Sequence, residues 1–67
     1  MRILAERLKT LRQESGLSIF ELSQKISISV ASLCRWENGT TDIKSDQLII
    51  LAEFFQVSVD YLLGLED

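Results

Sequence analysis

Residues 18–39 read SIFELSQKISISVASLCRWENG, and this stretch decides the fold. Ser18 stands three residues before Glu21, the spacing of a capping box, in which the serine hydroxyl accepts the Glu21 amide and the glutamate reaches back to the serine amide. Leu22 and Ile26 follow at helical spacing. A short turn, a second capping serine and a closing Asn-Gly pair complete the pattern. It predicts two short helices joined by a tight turn.

The flanking sequence predicts three more helices and no strands, because leucines recur at three-to-four spacing between isolated turn residues. The expected helices are about residues 2–14, 19–26, 30–37, 46–55 and 59–63. Ser29, Ser45 and Ser58 are expected to cap helices three, four and five. Gly16 is expected to end helix one as a left-handed cap, and Gly64 is expected to end helix five. The predicted fold class is therefore all-α, with five helices.

Composition limits the chain to one small domain. Its 67 residues, 46% of them apolar, suffice for a single core but not for an internal substrate cavity as well, so we expect one domain over residues 1–67. The single cysteine, Cys34, excludes an intramolecular disulfide and, with no secretory signal pattern, indicates a reducing cytoplasm. The longest apolar run, residues 48–52, is too short to cross a membrane.

Charge is unevenly distributed along the chain. The net charge is −3, whereas nucleic-acid-binding domains are often basic. Residues 1–44 nevertheless carry all seven basic groups against five acidic ones, while residues 45–67 carry five acidic groups and no basic one. A molecule with this charge distribution would present residues 1–44 to phosphate and keep residues 45–67 away from it, although acidic segments also simply aid solubility.

The residue types argue against catalysis. No histidine is present, so there is neither a catalytic triad nor the usual general base near neutral pH. One cysteine and scattered carboxylates do not make a zinc site, and three isolated glycines do not make a phosphate-binding loop. The sequence therefore predicts a protein that is not an enzyme and has no cofactor, metal or small-molecule ligand.

Motifs along nearly the whole chain share their order and spacing with one known family. They are residues 7–9 (RLK), 11–12 (LR), 16–18 (GLS), 21–22 (EL), 35–39 (RWENG), 51–52 (LA) and 57–64 (VSVDYLLG), together with Ser29, Leu33 and Leu48. With these motifs the chain resembles the Cro/phage-repressor class of helix-turn-helix domains, also called the xenobiotic-response-element (XRE) family. The resemblance implies a compact, lambda-repressor-like five-helix domain. Its helix-turn-helix, about residues 18–39, would bind an operator, usually as a homodimer, and regulate transcription.

The resemblance also assigns roles to individual residues. Helix three would enter the major groove. The expected contacts to base edges are Val30, Ala31, Ser32 and Arg35, of which Arg35 can form a bidentate fork with guanine. The expected contacts to the DNA backbone are Ser18, Ile19, Ser29, Asn38 and Lys44. The expected structural residues are Leu33 and Trp36 on the inward side of helix three, and Arg12 and Glu37, which match a pair that bridges helix one to the end of helix three.

This chain departs from the family pattern on the DNA-facing side. Ile19 opens helix two where glutamine is common, and Val30 and Ala31 stand where polar residues are usual. Ser27 replaces the frequent turn glycine, and no lysine or arginine occupies residues 39–43. Either the operator affinity is modest and depends on Arg35, or part of this surface serves another partner.

Helix four carries more apolar side chains than a monomer core requires. The stripe formed by Leu48, Leu51, Ala52 and Phe55 meets that requirement. The surplus residues, with two neighbours further along the chain, form a candidate dimer interface: Ile49, Ile50, Phe54, Tyr61 and Leu65. The alternative is a central helix that is buried on every side.

Two functions from different classes follow. The first is a sequence-specific transcriptional regulator, a repressor acting as a homodimer at a short palindromic site on double-stranded DNA. The second is a protein-interaction module on the same fold, such as an antitoxin or anti-repressor, in which Ile19, Phe20, Val30 and Ala31 form an apolar docking patch.

Overall fold

The structure, a computed structural model, describes residues 2–40 and 42–66, which form five α-helices and no strand. In chain order these are α1 (Arg2–Glu14), α2 (Ile19–Ile26), α3 (Val30–Glu37), α4 (Ser45–Phe55) and α5 (Val59–Leu63). The all-α prediction is confirmed, and the predicted bounds agree except that α4 begins one residue earlier. No helix in the described part of the chain is long and apolar enough to span a membrane.

Serine side chains begin three of the helices, as predicted. At α2 the Ser18 hydroxyl accepts the Glu21 amide at 3.0 Å, and the Ser18 amide donates to the Glu21 carboxylate at 2.9 Å. The backbone hydrogen bond from Ser18, followed by the one from its side chain, lowers the pKa of Glu21 below its usual value. Ser29 and Ser58 likewise accept backbone amides at the starts of α3 and α5.

The predicted cap of α4 is wrong. Ser45 is the first residue of that helix, and Lys44 takes the extended cap conformation without a side-chain hydrogen bond to the helix. A lysine side chain has no acceptor to offer. The Asp46 carboxylate instead accepts the amide of Gln47 at 3.0 Å, so a carboxylate in the first turn satisfies one of the free amides.

The core forms where the five helices meet. Its five fully buried leucines come one from each helix: Leu8, Leu22, Leu33, Leu51 and Leu62. Trp36 of α3 is buried beside them, whereas Phe55, which was expected in the core stripe of α4, is only partly buried against this cluster. Because α1 packs on both α3 and α5, and α2 packs on both α3 and α4, the core fixes α3 on two sides.

We predict that Trp36→Ala unfolds the domain. Removing a buried tryptophan side chain costs about 3–5 kcal/mol, which is comparable to the whole stability of a domain of this size. The measurement is a thermal melt followed by far-ultraviolet circular dichroism. Phe20→Ala is the matched control, because the Phe20 ring is 60% exposed and its loss should leave the melt nearly unchanged. A native melt for Trp36→Ala would show that the core does not depend on this ring.

Candidate nucleic-acid interface

The α2–α3 turn is closed by a serine side chain. The Ser23 hydroxyl donates to the carbonyl of Ile28 at 2.6 Å, across the turn. Ser27 takes the left-handed conformation, with φ of 58°, at the position where the family often has glycine. A residue with a Cβ is strained there by roughly 1–2 kcal/mol, so the Ser23 bond and the burial of Ile28 hold the turn against that strain. The sequence departure at Ser27 therefore leaves the two-helix geometry in place.

The two sides of α3 differ sharply in burial. Leu33 and Trp36 face the core. Val30, Ala31 and Arg35 are exposed, and Ser32 is half-buried at the edge of that face. The four residues expected to touch base edges therefore lie on the accessible part of this helix. We call Val30, Ala31, Ser32 and Arg35 the reading face.

Hydrogen bonds link the polar residues of the reading face. The Arg35 guanidinium Nη2 donates to the Ser32 hydroxyl at 3.3 Å. Ser29, the cap of the helix, donates its hydroxyl to Ser32 at 3.0 Å and accepts the Ser32 amide at 3.1 Å. Sequence reasoning missed these contacts, although a spacing of three residues is the signal that places helical side chains next to one another.

The far end of α3 is fixed by an ion pair with α1. Arg12 donates through Nε to Glu37 Oε2 at 2.7 Å and through Nη2 to Oε1 at 3.1 Å. Its third nitrogen, Nη1, donates to the Leu17 carbonyl at 2.8 Å, in the loop before α2. The side chains are only 13% and 6% exposed, and the hydrogen bond to Glu37 raises the pKa of Arg12. One guanidinium thus joins α1, the entry to α2 and the end of α3.

The residues expected to touch the DNA backbone lie around this two-helix unit, and they differ in exposure and in whether their polar groups are already hydrogen-bonded. Ser18 and Ser29 use their hydroxyls as helix caps, so a ligand would meet them at a helix start. Ile19 is half-buried, and its side chain packs against the core. The polar group that it can offer to DNA is its backbone amide, which lies in the first turn of α2 and has no partner within the helix. Asn38 and Lys44 are exposed.

The five residues of the candidate dimer interface differ in how much of each side chain is exposed. Ile49 is 49% exposed, and Ile50, Phe54 and Leu65 are exposed as well, so α4 is not buried on every side within one copy of the chain. Tyr61 is half-buried, and the guanidinium carbon of Arg7 lies 4.3 Å from the centre of its ring. One face of Tyr61 is therefore already occupied by a cation–π contact.

No group of three or more His, Cys, Asp or Glu side chains within residues 2–40 and 42–66 is placed to hold a metal ion. Cys34 is a free, half-buried thiol on α3.

Comparison with known proteins agrees with this geometry. The helix-turn-helix family model matches residues 8–62. The uncharacterized HTH-type transcriptional regulator YobD of Bacillus subtilis is 40% identical over 62 residues, which are 92% of this chain and 55% of that protein. The HTH-type transcriptional regulator ImmR of the same organism is 36% identical over 64 residues, 96% of this chain and 50% of the relative. The antitoxin PezA of Streptococcus pneumoniae is 31% identical over 62 residues, 92% of this chain and 39% of the relative.

The chain spans about half the length of the two regulators that it matches. The match to the family model covers α2, the turn and α3, and it also includes the Arg12–Glu37 pair and most of the core. The chain belongs to the helix-turn-helix family of transcriptional regulators, of the Cro/phage-repressor (XRE) type.

Proposed function

We propose that this chain is a sequence-specific regulator that binds a short palindromic operator in double-stranded DNA as a homodimer and acts as a repressor in the cytoplasm. The observation that carries the proposal is the reading face. In a domain of this family, α3 buries Leu33 and Trp36 and leaves Val30, Ala31 and Arg35 accessible on its other side. A helix held in this way can lie in a major groove with those side chains against base edges.

Arg35 is the main base-reading residue in this proposal. It is exposed on the last turn of α3, and the end of that helix is held by Thr40, whose amide and hydroxyl both donate to the Arg35 carbonyl, at 3.1 and 3.2 Å. A guanidinium can bond guanine O6 and N7 together, while Val30 and Ala31 can contact a thymine methyl group. A half-site containing guanine is therefore the expected target.

Contacts to the DNA backbone would set the register of the complex. The first amide of α2 to bond within the helix is that of Leu22, to Ser18 at 3.0 Å, so the amides of Ile19 and Phe20 precede it and can meet a phosphate. Asn38 and Lys44 would add contacts beyond α3. With few cations around this surface, we expect modest total affinity and a large dependence on Arg35.

A homodimer through α4 and α5 would supply the palindromic symmetry. Its interface would be Ile49, Ile50, Phe54, Leu65 and the uncovered part of Tyr61. To read the two halves of a palindrome, such a dimer would have to hold its two copies of α3 about 34 Å apart, which is one helical turn of DNA.

A second candidate function, protein docking, is favoured by exposed apolar side chains on α2 and α3. Phe20 is 60% exposed and Val30 is 39% exposed, and one relative is named an antitoxin. Ile19 adds less than the sequence indicates, because it is half-buried. Salt separates the two functions: DNA binding through several phosphates weakens steeply as salt rises, whereas an apolar interface hardly changes.

We predict that Arg35→Ala abolishes the preference for guanine in the operator without unfolding the domain. A randomised duplex library is selected at about 100 mM salt, where phosphate contacts still hold, and affinities are then measured by fluorescence anisotropy. The wild type should enrich a palindrome with guanine at symmetric positions. The variant should lose about 1–3 kcal/mol of discrimination at that guanine. Arg2→Ala, which removes the same charge from an exposed arginine of α1 outside the helix-turn-helix, should keep the preference. A guanine preference that survives in Arg35→Ala would remove this residue from base reading.

We predict that Ile49→Glu weakens dimerisation by about tenfold or more, because it buries an unpaired charge in the interface. Sedimentation equilibrium measures the dimer dissociation constant, and circular dichroism checks the fold. Ile3→Glu is a matched control, since Ile3 and Ile49 are both 49% exposed but Ile3 lies on α1. Equal dissociation constants for the two variants would place the interface elsewhere, and a wild type that is monomeric both free and on DNA would exclude the homodimer.

A further inference from the structure

We propose that Ser32 positions the Arg35 guanidinium and itself selects a base edge that carries a hydrogen-bond acceptor. Ser32 thereby determines specificity at the base next to the guanine. This inference rests on the proposed function, in which both side chains meet DNA bases.

The positioning follows from three side chains spaced by three residues. Ser29 donates its hydroxyl to Ser32 at 3.0 Å, and Arg35 donates Nη2 to the same oxygen at 3.3 Å. The Ser32 amide in turn donates to Ser29 at 3.1 Å, which ties Ser32 to the start of the helix. The guanidinium at the end of α3 is therefore linked through Ser32 to the cap at its beginning.

The same bonds fix the polarity of Ser32. A serine oxygen has two lone pairs and one proton. Both lone pairs of Ser32 are taken, one by Ser29 and one by Arg35. With Ser29 and Arg35 donating to it in this way, Ser32 keeps its own proton to offer to a ligand. Arg35 can only donate, and these two polar members of the reading face therefore both seek acceptors.

This polarity discriminates among base edges in the major groove. Guanine offers N7 and O6, adenine offers N7 and thymine offers O4, whereas cytosine offers the N4 amine, which is a donor. A cytosine edge opposite Ser32 would set donor against donor. We therefore expect the base read by Ser32 to be guanine, adenine or thymine, beside the guanine read by Arg35.

The bond to Ser32 leaves Arg35 competent to read guanine. A guanidinium has five N–H donors, of which Ser32 takes one and a guanine fork takes two. Holding the long side chain in place before binding removes part of the ordering cost that a free arginine would meet. On that ground, loss of the Ser32 hydroxyl should lower the preference for guanine about two- to tenfold.

The test compares Ser32→Ala, Ser32→Thr, Arg35→Ala and the double variant Ser32→Ala/Arg35→Ala by fluorescence anisotropy. The probes are the duplex enriched by the wild type and a set in which the guanine and its neighbour are replaced by each other base. Ser32→Ala should lower the guanine preference about two- to tenfold and should admit cytosine at the neighbouring position. Ser32→Thr, which keeps a hydroxyl, should restore both preferences. In the Arg35→Ala background, Ser32→Ala should leave the guanine preference unchanged, because coupled residues are not additive.

A purely structural role for Ser32 gives a different result. It would lower the affinity for every duplex by the same factor, or would add to the effect of Arg35→Ala, and either outcome overturns the inference. Unchanged base preferences in Ser32→Ala overturn it as well. Ser32→Val offers a second comparison with Ser32→Thr, since these side chains differ only by a methyl group in place of a hydroxyl, and circular dichroism establishes that each variant folds.

Failure of this inference is distinguishable from failure of the proposed function. If the wild type enriches no duplex, both the proposed function and the inference on Ser32 are contradicted. If enrichment depends on Arg35 but every base preference survives in Ser32→Ala, the proposed function stands and the positioning role of Ser32 is overturned.

Discussion

The structure depends most on the ion pair between Arg12 and Glu37. It is bidentate, almost buried, and extended by the bond from Arg12 to the Leu17 carbonyl. Each buried charge needs the other, since an unpaired charge at this depth is strongly destabilising. Through these bonds, Arg12 of α1 fixes the entry to α2 and the end of α3. With Trp36 buried beside Glu37, α3 keeps one orientation, and the direction of its exposed side chains follows from that.

Local rules predicted most of the fold. The Ser18–Glu21 capping box and leucines at helical spacing were enough for the helix bounds. The local rule failed at Ser45. There the carboxylate of Asp46, the next residue, accepts a backbone amide of the first turn, which a capping serine would otherwise have done. Contacts between distant segments left no such local signal, and the Arg12–Glu37 pair was expected only from the family resemblance. Arg7 bonds the carbonyls of Tyr61 and Glu66, more than fifty residues away, and no spacing rule connects positions that far apart.

The candidate site was predicted in its parts but not in its connections. Val30, Ala31 and Arg35 are exposed on one side of α3, as base contacts would require, yet no sequence pattern had indicated the link from Ser29 through Ser32 to Arg35. Arg35 is the one basic residue of α3, so this surface has little general attraction for phosphate. All seven basic residues lie within residues 1–44, together with five of the ten acidic ones, whereas residues 45–67 carry the other five acidic residues and no basic one. In our account, selectivity therefore comes from a few base contacts and affinity from pairing two copies.

The most direct test of this account is an NMR titration of the isotope-labelled chain with the duplex that it enriches from a random library. We predict that backbone amides of residues 18–20 and 29–35 shift most on binding, because α2 would meet phosphate and α3 would meet bases. Additional shifts in α4 and α5 would accompany dimerisation on the operator. A duplex that bound while the amides of α3 stayed unmoved would contradict this mode of binding, because another surface would then carry the interaction.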